Sequence, residues 1–166
     1  MKNTLSYDDV LLVPQYSDIR SRSEVSLDTD LGNGLLLSTP IFSSPMDTIS
    51  ESPMAVAMDN HGGAAIIHRY NTVQEQTKLV SMAQDLGSCK NLGAAVGISD
   101  DFLLRAKMLK QAGASFICVD VAHGHHILMK EALLALRGEL GPDFHIMAGN
   151  VATLQGVNDL ADWEPE

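Results

Sequence analysis

Short, continuous apolar runs recur along most of this chain, and each is followed by a segment whose apolar residues have helical spacing. Runs that do not alternate in polarity are typical of strands buried on both faces, as in a parallel sheet covered by helices. The pattern therefore predicts five strand–helix units. The predicted strands cover residues 39–44, 63–68, 92–98, 115–121 and 144–148, and the predicted helices cover residues 53–60, 73–86, 102–112, 127–140 and 154–163.

Residues 1–38 lack this pattern and are predicted to form a lead-in segment, in which residues 25–37 suggest a hairpin turning at Gly32-Asn33-Gly34. Two architectures fit the five units that follow: an open doubly wound sheet, or part of an eight-stranded (β/α) barrel. A complete barrel typically needs about 250 residues. The length of 166 residues, taken alone, favours the open sheet.

Charge and composition exclude several classes of function. Eleven Lys plus Arg against 21 Asp plus Glu give a net charge of -10, which repels nucleic-acid phosphates and anionic membranes. The chain is 45% hydrophobic, so wholesale disorder is excluded. Two cysteines support no disulfide framework, and neither a signal-peptide pattern nor a membrane-spanning apolar stretch occurs. We therefore expect a cytoplasmic protein with no nucleic-acid partner and no membrane contact.

Polar residues concentrate where the predicted strands end and the helices begin, which is where ligand sites form in parallel α/β folds. The histidine-rich junction after the fourth strand raises the question of a metal site. It lacks the helical His-x-x-x-His spacing or the Cys pair that would complete a metal cage. A polar, glycine-containing loop is favoured there, and no metal is predicted. The residues concerned are Asp120, His123, His125 and His126.

Nucleophilic catalysis has little support from the two thiols. Cys118 lies inside a predicted strand, where it behaves as a small apolar residue. Cys89 lies in a loop beside Lys90, whose charge could lower the pKa of the thiol. The chain also has no Gly-x-Ser-x-Gly elbow and no glycine-rich phosphate-binding motif. A Rossmann dinucleotide fold is therefore disfavoured.

Five junction segments form a set in a definite order along nearly the whole chain. They are LSYDDVLLVP at residues 5–14, SSPMDT at 43–48, GGAAIIH at 62–68, VDVAHGH at 119–125 and AGNVAT at 148–153. Together they resemble the IMP dehydrogenase and GMP reductase family.

The resemblance implies a partial (β/α)8 barrel, with residues 1–38 as its lead-in and residues 39–166 as its first five strand–helix units. It also implies a purine nucleotide monophosphate as substrate and NAD or NADP as cofactor. Members oxidise IMP to XMP with NAD, or reduce GMP to IMP with NADPH. The CBS domain pair of most dehydrogenases lies between the second helix and the third strand, where this chain has only about residues 85–91. That module is predicted to be absent.

Five positions match residues that line the family's binding site. The resemblance implies that Ser44, Met46 and Asn150 contact the substrate nucleotide. It also implies that Asp120, Arg69 and Asn150 contact the cofactor, with Asp120 at the nicotinamide ribose and Arg69 near the adenosine. These roles are chemically reasonable, because a carboxylate accepts hydrogen bonds from hydroxyls and an amide both donates and accepts. A thioether is a polarisable contact for a flat purine.

The family's nucleophile lies in a Gly-x-Gly-Ser-x-Cys loop after the sixth strand, and this chain has no such segment. Neither Cys89 nor Cys118 matches it, so we predict no catalytic residue in the chain and no turnover by the chain alone. Three interpretations of the chain remain. In the first, it is a fragment of a longer enzyme, with IMP dehydrogenase favoured over GMP reductase. In the second, it is a half-barrel that binds or assembles without catalysis, as a homo-oligomer or with a relative, and in the third it is a rearranged open sheet that binds a nucleotide.

Five-eighths of a barrel has two open strand edges and an interior that is only partly covered. The side chains expected to face that interior are those of Ile41, Ala65, Val96, Cys118 and Ile146. We expect a further segment or partner to cover them, because exposed apolar surface costs about 25 cal/mol per Å2.

Overall fold

The computed structural model describes residues 5–163. Two short 3-10 helices, Tyr7–Asp9 and Arg22–Glu24, precede the regular elements. The strands are β1 (Thr29–Asp30), β2 (Leu36–Leu37), β3 (Phe42–Ser43), β4 (Ala64–Ile67), β5 (Leu92–Val96), β6 (Phe116–Asp120) and β7 (His145–Gly149). The helices are α1 (Ser52–Asn60), α2 (Val73–Gly87), α3 (Phe102–Gln111), α4 (Ile127–Leu140) and α5 (Leu154–Trp163).

Strands β3 to β7 form one parallel sheet whose spatial order is the same as their order in the chain. A doubly wound open sheet reverses direction at a switch point, whereas a barrel adds each strand beside the last. The curled sheet with alternating helices is therefore part of a (β/α) barrel, and the preference for an open sheet drawn from length alone is wrong. No helix within residues 5–163 combines the length and the apolar character needed to cross a bilayer.

The five predicted strand–helix units are confirmed. The sequence before α1 offers Ser50 and Ser52 as N-cap residues, since serine is favoured at that position, but Glu51 holds it without a side-chain cap. The Ser50 hydroxyl instead donates to the Ser44 carbonyl and to the Ser43 hydroxyl, the latter at 2.7 Å. At α3, Asp101 is the N-cap residue but its carboxylate binds a side chain rather than the backbone. The predicted stop of α5 at Glu164-Pro165-Glu166 lies outside the described residues.

The helix α2 begins at a capping box formed by Thr72 and Glu75. The Thr72 hydroxyl accepts the Glu75 N–H at 3.2 Å, and the Glu75 carboxylate accepts the Thr72 N–H at 2.9 Å. The Thr72 N–H, followed by the Thr72 hydroxyl, donates to the Glu75 carboxylate and so lowers the pKa of Glu75. The start of α2, just after β4, is therefore firmly defined.

The two faces of the sheet bury different sets of side chains. The helix-facing core includes Ala65, Val96 and Ile146, which were expected to face the barrel interior. That part of the prediction is wrong, because continuous apolar runs do not reveal which alternate side chains face inward. Cys118 does face the interior, as expected. The interior cluster consists of Leu35, Leu37, Ala64, Ile66, Ala95, Phe116 and Cys118, with Phe42 packed against it.

The predicted hairpin is confirmed and covers the interior at the amino-terminal ends of the strands. Strands β1 and β2 pair antiparallel around a turn in which Gly32, Asn33 and Gly34 all have positive φ. Asn91, directly before β5, donates to the Leu36 carbonyl at 2.9 Å. His145, at the start of β7, donates from Nε2 to the Gly32 carbonyl at 2.7 Å. The lead-in is thus a structural part of the half-barrel.

The centre of the interior depends on one glycine in β5. The Phe116 ring lies over Gly93, so that a Cβ at position 93 would be 2.2 Å from two atoms of the ring. Phe42 meets the same ring edge to face, with the centroids 5.9 Å apart. Because Phe116 is only 1% exposed, it has little free space into which it could move.

We predict that Gly93→Ala lowers the free energy of unfolding by about 1–3 kcal/mol, because the added methyl overpacks the interior. The matched control is Gly138→Ala in α4, where a Cβ meets nothing within 4 Å and alanine favours the helix. Chemical denaturation followed by circular dichroism measures both. Equal effects of the two substitutions would contradict the close packing of Phe116 on Gly93.

Candidate functional site

All five strands of the parallel sheet end at the same edge, and the loops that follow them form a continuous polar rim. The predicted site residues occupy four of these loops. Ser44 and Met46 follow β3, Arg69 follows β4, Asp120 ends β6 and Asn150 follows β7. The fold therefore gathers every predicted residue at one end of the half-barrel.

Arg69 joins three of the strand ends. Its Nη2 donates to the main-chain carbonyl of Asp120 at 3.2 Å. The contact is therefore with the backbone of Asp120 and not with its carboxylate. Its guanidinium lies over Gly97, where a Cβ would be 3.6 Å from Nη1. Within residues 5–163, Arg69 Nε is buried and has no hydrogen-bond partner. A buried donor without a partner is costly, so this nitrogen is suited to an acceptor on a bound ligand.

Asn150 is brought beside the loop after β6 by a short extension of the β-ladder. The Asn150 N–H donates to the Val121 carbonyl at 2.8 Å, and the Gly124 N–H donates to the Asn150 carbonyl at 2.6 Å. A Cβ on Gly124 would be 2.8 Å from that carbonyl oxygen, so only glycine allows this approach. The Asn150 side chain remains exposed at the rim.

A cleft of about 270 Å3 lies between the ends of β6 and β7. Its lining includes the polar residues Asp120 and Asn150 and the apolar residues Cys118 and Met147. The cleft therefore places a carboxylate and an amide beside an apolar surface. This combination suits a ligand that carries both hydroxyls and a flat ring.

The loop after β3 is fixed by the buried Ser50, and its predicted contact residues remain accessible. The Ser50 hydroxyl is buried and binds the backbone and side chain at the end of β3. Ser44 is exposed, and 47% of the Met46 surface is exposed. The geometry thus presents both residues at the rim, one strand beyond Arg69.

His68 ties the first two loops together, a role that the sequence analysis missed. Its ring is 4% exposed, and its Nδ1 accepts the Tyr70 N–H at 3.2 Å. The proton of the neutral ring is therefore on Nε2, which lies 3.3 Å from Glu51 Oε1. The only sequence signal was its place in the GGAAIIH segment, and nothing in that segment identified Glu51 as the partner.

The histidine-rich loop after β6 has structural contacts. His125 Nε2 lies 2.7 Å from Asp159 Oδ2 on α5, and its ring is 5.7 Å from that of Trp163. His126 caps α4 by accepting the Leu128 N–H. Among residues 5–163, no three His, Cys, Asp or Glu side chains are grouped as a metal site. The loop is thereby anchored to the last helix.

Both thiols have raised pKa values. Burial, followed by the charge of Asp120, raises the pKa of Cys118 to about 12. Burial, followed by the charge of Asp59, also raises the pKa of Cys89. The expectation that Lys90 could lower the pKa of Cys89 is therefore wrong, because desolvation and a carboxylate outweigh an exposed lysine. Neither sulfur is activated as a nucleophile.

Comparison with known proteins decides the family. A family model described as "IMP dehydrogenase / GMP reductase domain" matches residues 4–165. The chain belongs to this family.

Three relatives illustrate the match. An inosine-5'-monophosphate dehydrogenase of Nitrosopumilus maritimus is 28% identical, over 96% of this chain and 59% of the relative. The corresponding Cryptosporidium parvum protein is 31% identical, over 95% and 48%. A GMP reductase of Caenorhabditis elegans is 33% identical, over 94% and 45%.

Coverage of the relatives is incomplete, and it is similar for both named activities. The chain spans about half the length of the curated relatives it matches. Proteins named IMP dehydrogenase and proteins named GMP reductase both align over nearly all of it. The resemblance drawn from the five motifs is confirmed at the level of the family.

We predict that Cys118 resists alkylation in the folded chain, because its pKa of about 12 keeps the thiol protonated at mildly alkaline pH. Iodoacetamide labelling followed by peptide mass spectrometry should be at least about a hundredfold slower than in the chain unfolded with urea. Rapid labelling of Cys118 in the folded chain would contradict its burial and its lack of activation.

Proposed function

We propose that this chain supplies part of the nucleotide-binding barrel of a purine-nucleotide oxidoreductase, one that oxidises IMP to XMP with NAD. The observation that carries the proposal is the convergence of Arg69, Asp120 and Asn150 at one edge of the sheet, after β4, at the end of β6 and after β7, in a chain of this family. Ligands bind at this end of (β/α) barrels in general. The proposed activity is that of a whole protein, and this chain contributes one part of it.

The residues present suit a nicotinamide dinucleotide. Asp120 lines the cleft, and its carboxylate can accept hydrogen bonds from ribose hydroxyls. Arg69 adds a cation whose buried Nε has no partner within the described residues. When bound, the nicotinamide ring would supply a hydride acceptor. The chain's own contribution is to bind and orient that ring at the apolar wall near Met147.

The purine nucleotide is assigned to the neighbouring part of the rim. Ser44 can donate and accept hydrogen bonds there, and exposed Met46 offers a polarisable surface for the purine. Asn150 stands between the two ligands and can contact either. The resemblance to the family implies that a cysteine bonds covalently to the purine. That step requires an activated thiolate, which neither Cys89 nor Cys118 can provide. We therefore assign that step to a cysteine from another segment or another chain.

GMP reduction with NADPH is the second candidate. Helix α2 is joined to β5 by only the four residues 88–91. Such a short connection leaves no room there for an inserted CBS pair. The AHGH and SSPMDT segments favour the dehydrogenase. A half-barrel that binds nucleotides without catalysis, in a homo-oligomer or with a relative, is a third candidate.

We predict that Asp120→Ala weakens NAD binding roughly 10–100-fold, the loss expected when hydrogen bonds to a charged group are removed. Isothermal titration with NAD measures it. Asp143→Ala is the matched control, because Asp143 is exposed in the loop before β7, at the opposite end of the sheet. An equal loss in both variants, or a wild-type chain that binds neither NAD nor NADPH, would refute the proposed cofactor site.

We also predict that the chain alone produces neither XMP from IMP and NAD nor IMP from GMP and NADPH. The reason is that both of its thiols are held in the neutral form. Chromatographic detection of the nucleotide product measures the outcome. Product formation abolished by Cys118→Ser would overturn the assignment of the nucleophile to another segment.

A further inference from the structure

A buried glutamine beneath the rim holds two adjacent strands at their carboxyl ends. Gln76 on α2 is fully buried, and its Nε2 donates to the Ile67 carbonyl at 3.2 Å and to the Ala95 carbonyl at 2.8 Å. Ile67 is the last residue of β4, and Ala95 is the penultimate residue of β5. One side-chain amide therefore uses both of its N–H groups to fix the ends of two strands.

Arg105 on α3 determines which way that amide faces. Its Nη1 donates to Gln76 Oε1 at 2.9 Å. Because a guanidinium has only donors, it can accept nothing from the amide nitrogen, so the oxygen of Gln76 must face Arg105. The two N–H groups of the amide are then directed at the strand carbonyls. Without the guanidinium, Gln76 Oε1 would be a buried acceptor with no partner.

The same arginine also holds the loop that carries Arg69. Arg105 Nη2 donates to the Asn71 carbonyl at 3.1 Å. Residues 68–71 are thus restrained at both ends, by Gln76 at Ile67 and by Arg105 at Asn71. Arg69 lies between these two restraints and reaches the Asp120 carbonyl at 3.2 Å.

The charge of Arg105 is compensated within its own helix turn. Asp101 accepts from Nε at 3.2 Å and from Nη2 at 3.0 Å, while Arg105 is 8% exposed. Every nitrogen of the guanidinium therefore has a partner, which offsets the cost of burying the charge. An apolar residue at this position would avoid that cost, but it could orient neither the amide nor the loop.

We propose that Arg105 and Gln76 are positioning residues of the nucleotide site, which hold the loop at residues 68–71 so that Arg69 is presented to the cofactor. The role in binding rests on the proposed function. The restraint of the loop depends only on the buried contacts. Neither residue touches a ligand, so both act through Arg69.

The test compares Arg105→Met with Lys107→Met in the 166-residue chain. Lys107 lies on the same helix and is 53% exposed, with its Nζ 2.8 Å from Glu139, so its loss should matter little. Gly93→Ala is a second control, since it lowers global stability from the barrel interior without touching the network. Hydrogen–deuterium exchange of residues 68–72 reports on the loop, and titrations with NAD and with IMP report on binding.

In Arg105→Met we expect exchange in the loop to rise about tenfold or more relative to Gly93→Ala, because a buried acceptor and a loop carbonyl lose their donor. NAD affinity should fall by a similar factor, while IMP affinity should change less than about twofold, since Ser44 and Met46 lie on another loop. Arg105→Lys should restore only part of the NAD affinity, because one ammonium cannot replace the planar fork.

The outcomes separate this proposal from the proposed function. Unchanged exchange in the loop of Arg105→Met overturns the proposal, whatever the chain binds. Equal losses of NAD and IMP affinity also overturn it, because they indicate general destabilisation. A wild-type chain that binds neither nucleotide refutes the proposed function and with it the role of Arg105 and Gln76 in presenting Arg69. In that case the exchange result tests only whether Arg105 restrains the loop.

Discussion

A parallel sheet must bury both of its faces, and this requirement governs the structure. Helices α1 to α5 cover the outer face with a large apolar core. Within the described part of the chain, the interior face is covered by the hairpin, through Leu35 and Leu37, and not by helices. The Phe116 ring fits between the sheet and the hairpin only because Gly93 has no side chain. The lead-in segment is therefore part of the hydrophobic core of the half-barrel.

The polar rim follows from the direction of the strands. Since every strand of the parallel sheet ends at one edge, the loops that carry Arg69, Asp120 and Asn150 converge without any long-range sequence signal. Backbone hydrogen bonds beyond the ends of β6 and β7 then bring Asn150 to the loop at Gly124. Beneath this rim, buried side chains connect the loops to the helices. The chemistry at the edge thus rests on contacts that are inaccessible to a ligand.

The sequence predicted the fold and most of the rim, and its errors have a common physical origin. Continuous apolar runs located all five strands, but they could not assign Ala65 and Val96 to the helix-facing side. The position of Ser50 suggested a cap, whereas its hydroxyl binds the end of β3. The neighbour Lys90 left open a lowered pKa for Cys89, whereas burial and the charge of Asp59 raise the pKa of that thiol. Each of these features depends on contacts that form in the folded chain and that the residue pattern does not contain.

Local pattern and motif order by themselves determined the strand–helix units, the hairpin, the family and the positions of the rim residues. These features depend on neighbouring residues and on short turns, which a linear reading contains. Only the tertiary structure decided that Gln76 and Arg105 are joined and that His68 meets Glu51. Such pairs form when helices pack onto a sheet, and a buried polar contact leaves no period in the sequence.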